Sequence, residues 1–322
     1  MAQLQNHPLR TLSEHEAPPE ILLIRDGIIE RRDSMDRERY PIKNISDTAR
    51  WVAFYRAMES ERLDAHFHDS YARLLAGERG EGIARTLPWG INNAWAVIVR
   101  TCVFDEIILK TVGNYAVDSV LNLAAGFDTR PYRLPLPPWL QWIEVDLPEI
   151  LCEKEEKLVD AQPGCRLKRV QLDLADVHAR RTFFSYLGQE VRQVLVMTEG
   201  VLIYLTAEQV TSLANDLHTH PSFRWWITDL VSPSVLRQYQ LYWGRQLAHG
   251  NASWKFLPEE GEHFFSRSGW HVVEFHSTMQ EASRLNRDMP FGWLWRLMVS
   301  CSSKEVQESY RKMSGFLLLE RN

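Results

Sequence analysis

Cysteine is scarce. Cys102, Cys152, Cys165 and Cys301 are the only four in 322 residues, and their separations match neither a metal-ligand spacing nor the dense disulfide framework of a small secreted domain. They are expected to be reduced, buried core residues. Charge of one sign is equally scarce: 37 Lys and Arg against 42 Asp and Glu leave a formal net charge of −5, with no basic block, which argues against a nucleic-acid partner. No apolar run approaches the roughly 20 residues of a bilayer span, and residues 1–25 lack the basic-then-apolar pattern of a signal peptide, so the chain is expected to be cytoplasmic and to have no membrane partner. There is no internal repeat and no low-complexity linker. No clustered carboxylates or paired histidines mark a metal site, so metal independence is expected, and His66 and His68 are read as helix-surface residues.

The remainder is the sequence of a folded chain, 45% hydrophobic and 25% charged. Residues 1–43 are polar and proline-containing and are expected to form a loosely attached arm. Residues 44–110 read as a helical cap region. Ser46 or Asp47 can cap a helix that carries Ala49, Val52, Tyr55 and Met58 on one face; a second helical run is expected over 68–76 and a longer one over 91–109. From 111 to 322 short β-type runs take over, at 120–123, 142–145, 167–172, 194–198 and 224–230, with helix-compatible stretches such as 149–159 and 207–218 between them. That alternation predicts an α/β fold with a parallel sheet covered by helices on both faces. The runs at 271–276 and 315–320 suggest an antiparallel closing pair interrupted by an insertion rich in Trp and Met.

The stretch "VLNLAAGFDTRPYRL", residues 120–134, falls at the C-terminal end of the first strand, where open α/β sheets expose unpaired N–H groups to ligands. Gly126 lets backbone approach a ligand, and Asp146, twenty residues on, follows the second strand, where an acid can accept both hydroxyls of a ribose. Asp146 before Leu147-Pro148-Glu149 also reads as a helix N-cap. Asp173 follows the third strand and Glu199 the fourth, and Thr206 with Gln209 forms a capping box that leaves Glu199 free for a ligand. An acid after each of three strands suits an adenosine-containing cofactor with a cationic end.

The motifs "ISDTARWVAFYRAMESERLDAHFHD", "VRTCVFDEII", "VLNLAAGFDTRPYRL", "IEVDLPEILCEK", "LDLAD" and "TEGVLIYLTAEQV" resemble, in order, the leucine carboxyl methyltransferase-like family of S-adenosylmethionine-dependent methyltransferases, in its bacterial small-molecule branch. The resemblance implies the class I methyltransferase sheet, Rossmann-like, with an antiparallel last strand. It also implies S-adenosylmethionine as cofactor, with Arg100 on the methionine carboxylate, Ala124 and Gly126 on the methionine side, Asp146 on the ribose, Asp173 and Leu174 around the adenine, and Glu199 near the ammonium. Two positions depart from the family: its first turn glycine is Ala124 here, and an arginine common after the Asp-Leu pair is Ala175. Arg130 and Arg133 are read as structural, solvated or ion-paired groups.

A small-molecule acceptor follows, methylated on a carboxyl or a hydroxyl group, and a polyketide-type compound fits. Tyr204 is the candidate for a catalytic hydrogen bond to it, and Arg100, Tyr204, Tyr242 and Trp243 are candidates to bind it. Tyr239, Trp254, Phe264, Trp293 and Trp295 crowd the same segments, as an aromatic-lined cavity would require. A carboxyl methyltransferase acting on a protein C-terminus is the alternative. A nicotinamide-dependent dehydrogenase would use the same first two strands without needing Glu199, and a cofactor-binding protein without catalysis is the non-enzyme alternative.

Overall fold

The computed structural model describes residues 41–322. Its centre is a seven-stranded sheet in the order β3-β2-β1-β4-β5-β7-β6. The strands are β1 (Ser119–Leu123), β2 (Gln141–Asp146), β3 (Arg166–Gln171), β4 (Val194–Thr198), β5 (Phe223–Val231), β6 (Trp270–Ser277) and β7 (Ser314–Arg321). β1 to β5 pair in parallel, and β7 inserts antiparallel between β5 and β6. The mostly parallel sheet with its antiparallel last strand is the arrangement expected from the sequence.

Period-two alternation sends successive side chains to opposite faces, and each face has its own apolar layer. Val120, Trp142, Leu195, Ile227 and Leu318 pack on one side with the N-terminal helices, whereas Leu121, Ile143, Val196, Trp226 and Leu319 pack on the other. Both layers are covered, so β1 and β4, which are mostly apolar, are buried throughout, Ser119 and Asn122 of β1 included. β3 is an edge strand and alternates between exposed and half-buried residues.

The helices α1 (Ile45–Ser60), α2 (Ala72–Thr86) and α3 (Ala94–Asn114) precede the sheet. Their starts differ from those expected. Asn44 caps α1, in extended backbone, by accepting from the Asp47 N–H at 3.0 Å. Asp47 is therefore in the first turn, where it is buried and takes the Arg79 guanidinium. The second helix begins at Ala72 rather than 68, because Asp69 is committed to a tertiary cluster with Arg56 and Thr129, and it runs on to Thr86 through a kink at Gly77 (φ 56°). A 3₁₀ turn, Ile91–Asn93, leads into α3, which continues a turn beyond 109. His66 and His68 lie in the loop after α1, not on a helix; an imidazole nitrogen of each meets a backbone carbonyl, Leu285 O at 2.6 Å and Ser60 O at 3.3 Å.

The remaining helices are α4 (Arg130–Arg133), α5 (Pro148–Lys157), α6 (Val177–Glu190), α7 (Ala207–His218), α8 (Pro233–His249), α9 (Thr278–Arg284), α10 (Gly292–Ser300) and α11 (Lys304–Arg311). The capping box of α7 is present, with Thr206 N–H donating to Gln209 Oε1 at 2.9 Å and Gln209 N–H to Thr206 Oγ1 at 3.3 Å. Of the segment read as an arm, residues 1–40 lie outside the described residues, and Ile42 is buried in the core. All four cysteines are unpaired, but only Cys102 and Cys165 are buried. Cys152, on the outward face of α5, and Cys301, at the end of α10, are exposed, which corrects the core assignment for these two.

Candidate functional site

The C-terminal ends of β1 to β5 open into one cavity of about 810 Å³, bounded also by α1, α3, α8 and residues 289–295. Its lining includes every residue given a cofactor, catalytic or acceptor-binding role from the sequence: Arg100, Ala124, Gly126, Asp146, Asp173, Leu174, Glu199, Tyr204, Tyr242 and Trp243.

The turn after β1 forms the floor. Ala124 and Gly126 both adopt left-handed backbone, φ 55° and 49°. For Gly126 that costs nothing; for Ala124 it puts a Cβ where a glycine would be strain-free. Asp146 closes the turn, since its Oδ2 accepts from the Gly126 N–H at 2.6 Å and its Oδ1 from the Leu147 N–H at 2.7 Å. Leu147, not Asp146, is the N-cap of α5, so the helix-cap reading gives way to that of a carboxylate joining two strand ends. Burial raises the Asp146 pKa above its usual 3.8, although both N–H groups favour the ionised form. Asp173 is exposed at the cavity edge and accepts from the Ala175 N–H at 2.8 Å, and Leu174 beside it is half-buried.

At the opposite wall three arginines and four carboxylates interlock. Arg100 of α3 donates through Nε to Glu199 (2.9 Å) and through Nη1 to Asp229 (3.3 Å). Arg130, only 2% exposed, joins Glu199 (2.6 Å), Asp105 (2.6 Å) and Asp128 (3.2 Å), and Arg133 takes the other side of Asp105. Burial opposes the charge of Glu199, but Arg130 and Arg100 outweigh it and hold its pKa below the usual range. Asp128 behaves alike: burial is overcome, by Arg130 foremost, and its pKa falls to about 2. Asp229 goes the other way, because burial prevails over the single contact with Arg100 and the Gly200 N–H, and its pKa is raised. Gly200, φ 66°, lets the Arg100 guanidinium lie against the backbone; a Cβ there would be 2.9 Å from Nη1.

The far end of the cavity is aromatic. Trp243 stacks on Tyr239 (5.1 Å, 15°), meets Trp51 and Trp254 edge-on, and donates its indole N–H to Pro88 O at 2.7 Å. Tyr239 O–H donates to Asn93 Oδ1 at 3.3 Å. Tyr204 lies in the turn after β4 with Thr48 and Trp254 beside its phenol, and burial raises its pKa, so it remains a neutral hydroxyl. Tyr242 is half-exposed at the mouth with Trp295. Phe264 and Trp293 do not line the cavity: Phe264 packs on the opposite face of the sheet and Trp293 points outward.

Asp229 and the network role of Arg130 were not found from sequence. Asp229 had a usable signal, an acid near the end of the fifth strand in "ITDLV", continuing the pattern of the strands before it. Arg130 had none beyond its place in the turn, because its partners come from α3 and β4.

The sheet order, the antiparallel β7 and a ligand-sized cavity at the strand ends define the class I methyltransferase fold. A methyltransferase from Thermobifida fusca, provisionally named, shares this fold at 14% identity with a TM-score of 0.53, covering 88% of this chain and 97% of its own. A DUF574-family protein from Streptomyces avermitilis does so at 11% identity and 0.54, covering 85% and 97%. Leucine carboxyl methyltransferase is the family that matches residues 49–218, more than half of the chain, and the chain belongs to it.

Among its relatives are provisionally named S-adenosyl-L-methionine-dependent methyltransferases. That of Parafrankia sp. is 32% identical over 54% of this chain and 58% of its own length, and one of Mycobacteroides abscessus is 30% identical over 56% and 64%. The match thus spans about three-fifths of those two relatives. A third, of Frankia alni, is 28% identical over 76% of this chain and 89% of its own. The cofactor that goes with these relatives is S-adenosylmethionine.

Proposed function

We propose that the chain is an S-adenosylmethionine-dependent O-methyltransferase that methylates a carboxyl or hydroxyl group of a small, mainly apolar metabolite, of polyketide type. The observation that carries this reading is a single cavity with a charged end at β1 to β5 and an aromatic end between α1 and α8.

The residues fit the cofactor. Arg100 is held through Nε and Nη1, and its Nη2 donates to no protein group among the described residues, which leaves it for the methionine carboxylate. The wall has one more carboxylate than arginines, a surplus that suits the cofactor's ammonium and sulfonium charges. Each Asp146 oxygen accepts one N–H and keeps a lone pair for a ribose hydroxyl. Asp173 and Leu174 lie where the adenine is expected. The bound cofactor supplies an activated methyl group on sulfur.

The chain itself aligns the acceptor and excludes water, and such positioning is worth ~7–11 kcal/mol. Neutral Tyr204 donates a hydrogen bond to the acceptor instead of removing its proton. A carboxylate acceptor needs no base, being ionised at neutral pH, and is the favoured choice. For a hydroxyl acceptor, Asp229 is a lining carboxylate whose basicity burial increases, as it does that of Asp146.

Calorimetric titration with S-adenosylmethionine, its demethylated product, NAD and NADP tests the cofactor. Binding of NAD alone would overturn the assignment. A product that releases methanol on saponification identifies a carboxyl acceptor, and an ether that survives identifies a hydroxyl.

A further inference from the structure

α10 (Gly292–Ser300) reads Gly-Trp-Leu-Trp-Arg-Leu-Met-Val-Ser, apolar around its whole circumference. Its one charged side chain, Arg296, is neutralised by Asp288. A helix of this kind belongs in a protein core or a lipid phase. Yet Trp293 is 62% and Leu297 55% exposed, and Leu294 and Met298 also face outward. The patch does not end with the helix. Trp89, Phe291, Trp295 and Tyr242 form the rim of the cavity and are themselves exposed, Phe291 by 73%, so the apolar surface runs from the outer face of α10 into the aromatic end of the site. Monomeric proteins seldom leave contiguous apolar surface of this kind without a partner.

Charge indicates which partner. On α8, whose Gln238, Tyr239 and Tyr242 line the same cavity, Leu241 is 86% exposed and lies one helical turn from Arg237 on one side and Arg245 on the other. Both arginines are exposed and neither has an ion-pair partner among the described residues, although the chain carries a net charge of −5. Unpaired arginines beside exposed Leu241 and Tyr242, on a helix that shares the cavity with the exposed Trp295, are the chemistry of an interfacial contact, with aromatic rings at the headgroup level and guanidiniums on lipid phosphates. We propose that the mouth of the cavity, formed by α10, residues 289–291 and the outer face of α8, docks on the surface of an anionic lipid bilayer. An apolar acceptor dissolved in the bilayer can then enter the aromatic end without crossing water. The contact is with the surface only, since α10 has nine residues and a span needs about 20.

Flotation of the full chain with vesicles of phosphatidylcholine, with and without phosphatidylglycerol, tests the docking independently of any methyl transfer. The chain is expected to float with the anionic vesicles and to release at high salt. Arg237→Gln and Arg245→Gln should each weaken binding about fivefold. Trp293→Ser combined with Leu297→Ser should weaken it by roughly tenfold or more, with S-adenosylmethionine titration unchanged. Hydrogen exchange of the unaltered chain supplies a readout that needs no variant, with protection on vesicle addition confined to residues 237–245 and 289–299. Failure to float with anionic vesicles, or flotation that the Trp293 and Leu297 substitutions leave intact, would overturn the proposal. So would a dimer in solution that these substitutions dissociate, since the patch would then be covered by a second copy.

Discussion

Asp146→Ala removes the acceptor of two backbone N–H groups at once. The Gly126 and Leu147 bonds, at 2.6 and 2.7 Å, are of the charge-assisted kind, each worth about 1.5–3 kcal/mol net. Two terms reduce the sum. Both N–H groups belong to half-buried residues on the cavity wall, where water can replace the lost acceptor, and the raised pKa of Asp146 shows that burying its charge already offsets part of the gain. A net loss of about 1–3 kcal/mol remains, equivalent to a fall in Tm of a few degrees for a chain of this size.

Cofactor binding should fall separately, by about 1.5–3 kcal/mol or roughly 10- to 150-fold in Kd, if the remaining lone pairs hold the ribose. Because the folded-state pKa is raised, the wild-type advantage is fullest below the ordinary value of 3.8 and declines as pH rises through the folded value, so the deficit of the mutant should narrow over that interval. Thermal melts of the cofactor-free protein and calorimetric titration with S-adenosylhomocysteine separate the two effects. An unchanged Tm would refute the part assigned to the N–H bonds. A lowered Tm with unchanged affinity would leave Asp146 as the closure of the turn and nothing more.

Ala124→Gly should stabilise the protein by about 0.5–1 kcal/mol, because relief of left-handed strain exceeds the added backbone entropy; a lower Tm would contradict this. Gly200→Ala forces a Cβ to within 2.9 Å of Arg100 Nη1 at a φ of 66°, so it should lose about 1–2 kcal/mol of stability and weaken cofactor binding about tenfold or more, and retained affinity in a titration would count against Arg100 as the carboxylate site. On the acid side, Asp128, Glu199 and Asp69 have lowered pKa values, so their contribution is present above the ordinary carboxylate range and is lost as pH falls through the folded values. Asp128, titrating near 2, accounts for about 2 kcal/mol of that loss, and Asp128→Asn should flatten the acid limb of a stability profile measured by urea unfolding.

The parallel sheet was legible because β1 and β4 are buried on both faces and therefore read as mostly apolar runs, and because helix-compatible stretches alternate with the strands. Helix starts were less legible. The sequence offers Ser46 or Asp47 as the cap of α1, whereas Asn44 takes that place and Asp47 is drawn to Arg79 of another helix, a pairing that no local pattern contains. The aromatic end was legible in composition but not in membership. Tyr239, Trp243 and Trp254 form its wall, whereas Phe264 from the same Trp- and Phe-rich segments packs beneath the sheet, since residue type records a preference for burial and not the face on which it is satisfied.

Arg100 shows how far a motif carries and where geometry takes over. Its motif places an arginine on the helix before the sheet and implies an anion for it. Alone, a guanidinium at a cavity wall could turn toward solvent, and its affinity for a carboxylate would include the cost of ordering it. In the structure Glu199 and Asp229 hold Nε and Nη1 from the ends of β4 and β5, and Glu199 is itself fixed by Arg130, which is fixed by Asp105 of the same helix as Arg100. The ordering is thus already done when a ligand arrives, and the one arm that donates to no protein group among the described residues belongs to a side chain lining the cavity, on a wall whose charge is otherwise neutralised or negative. That arrangement favours a ligand carrying both a carboxylate and a cation over a simple anion, because a simple anion would gain the guanidinium arm and meet the surplus carboxylate without compensation.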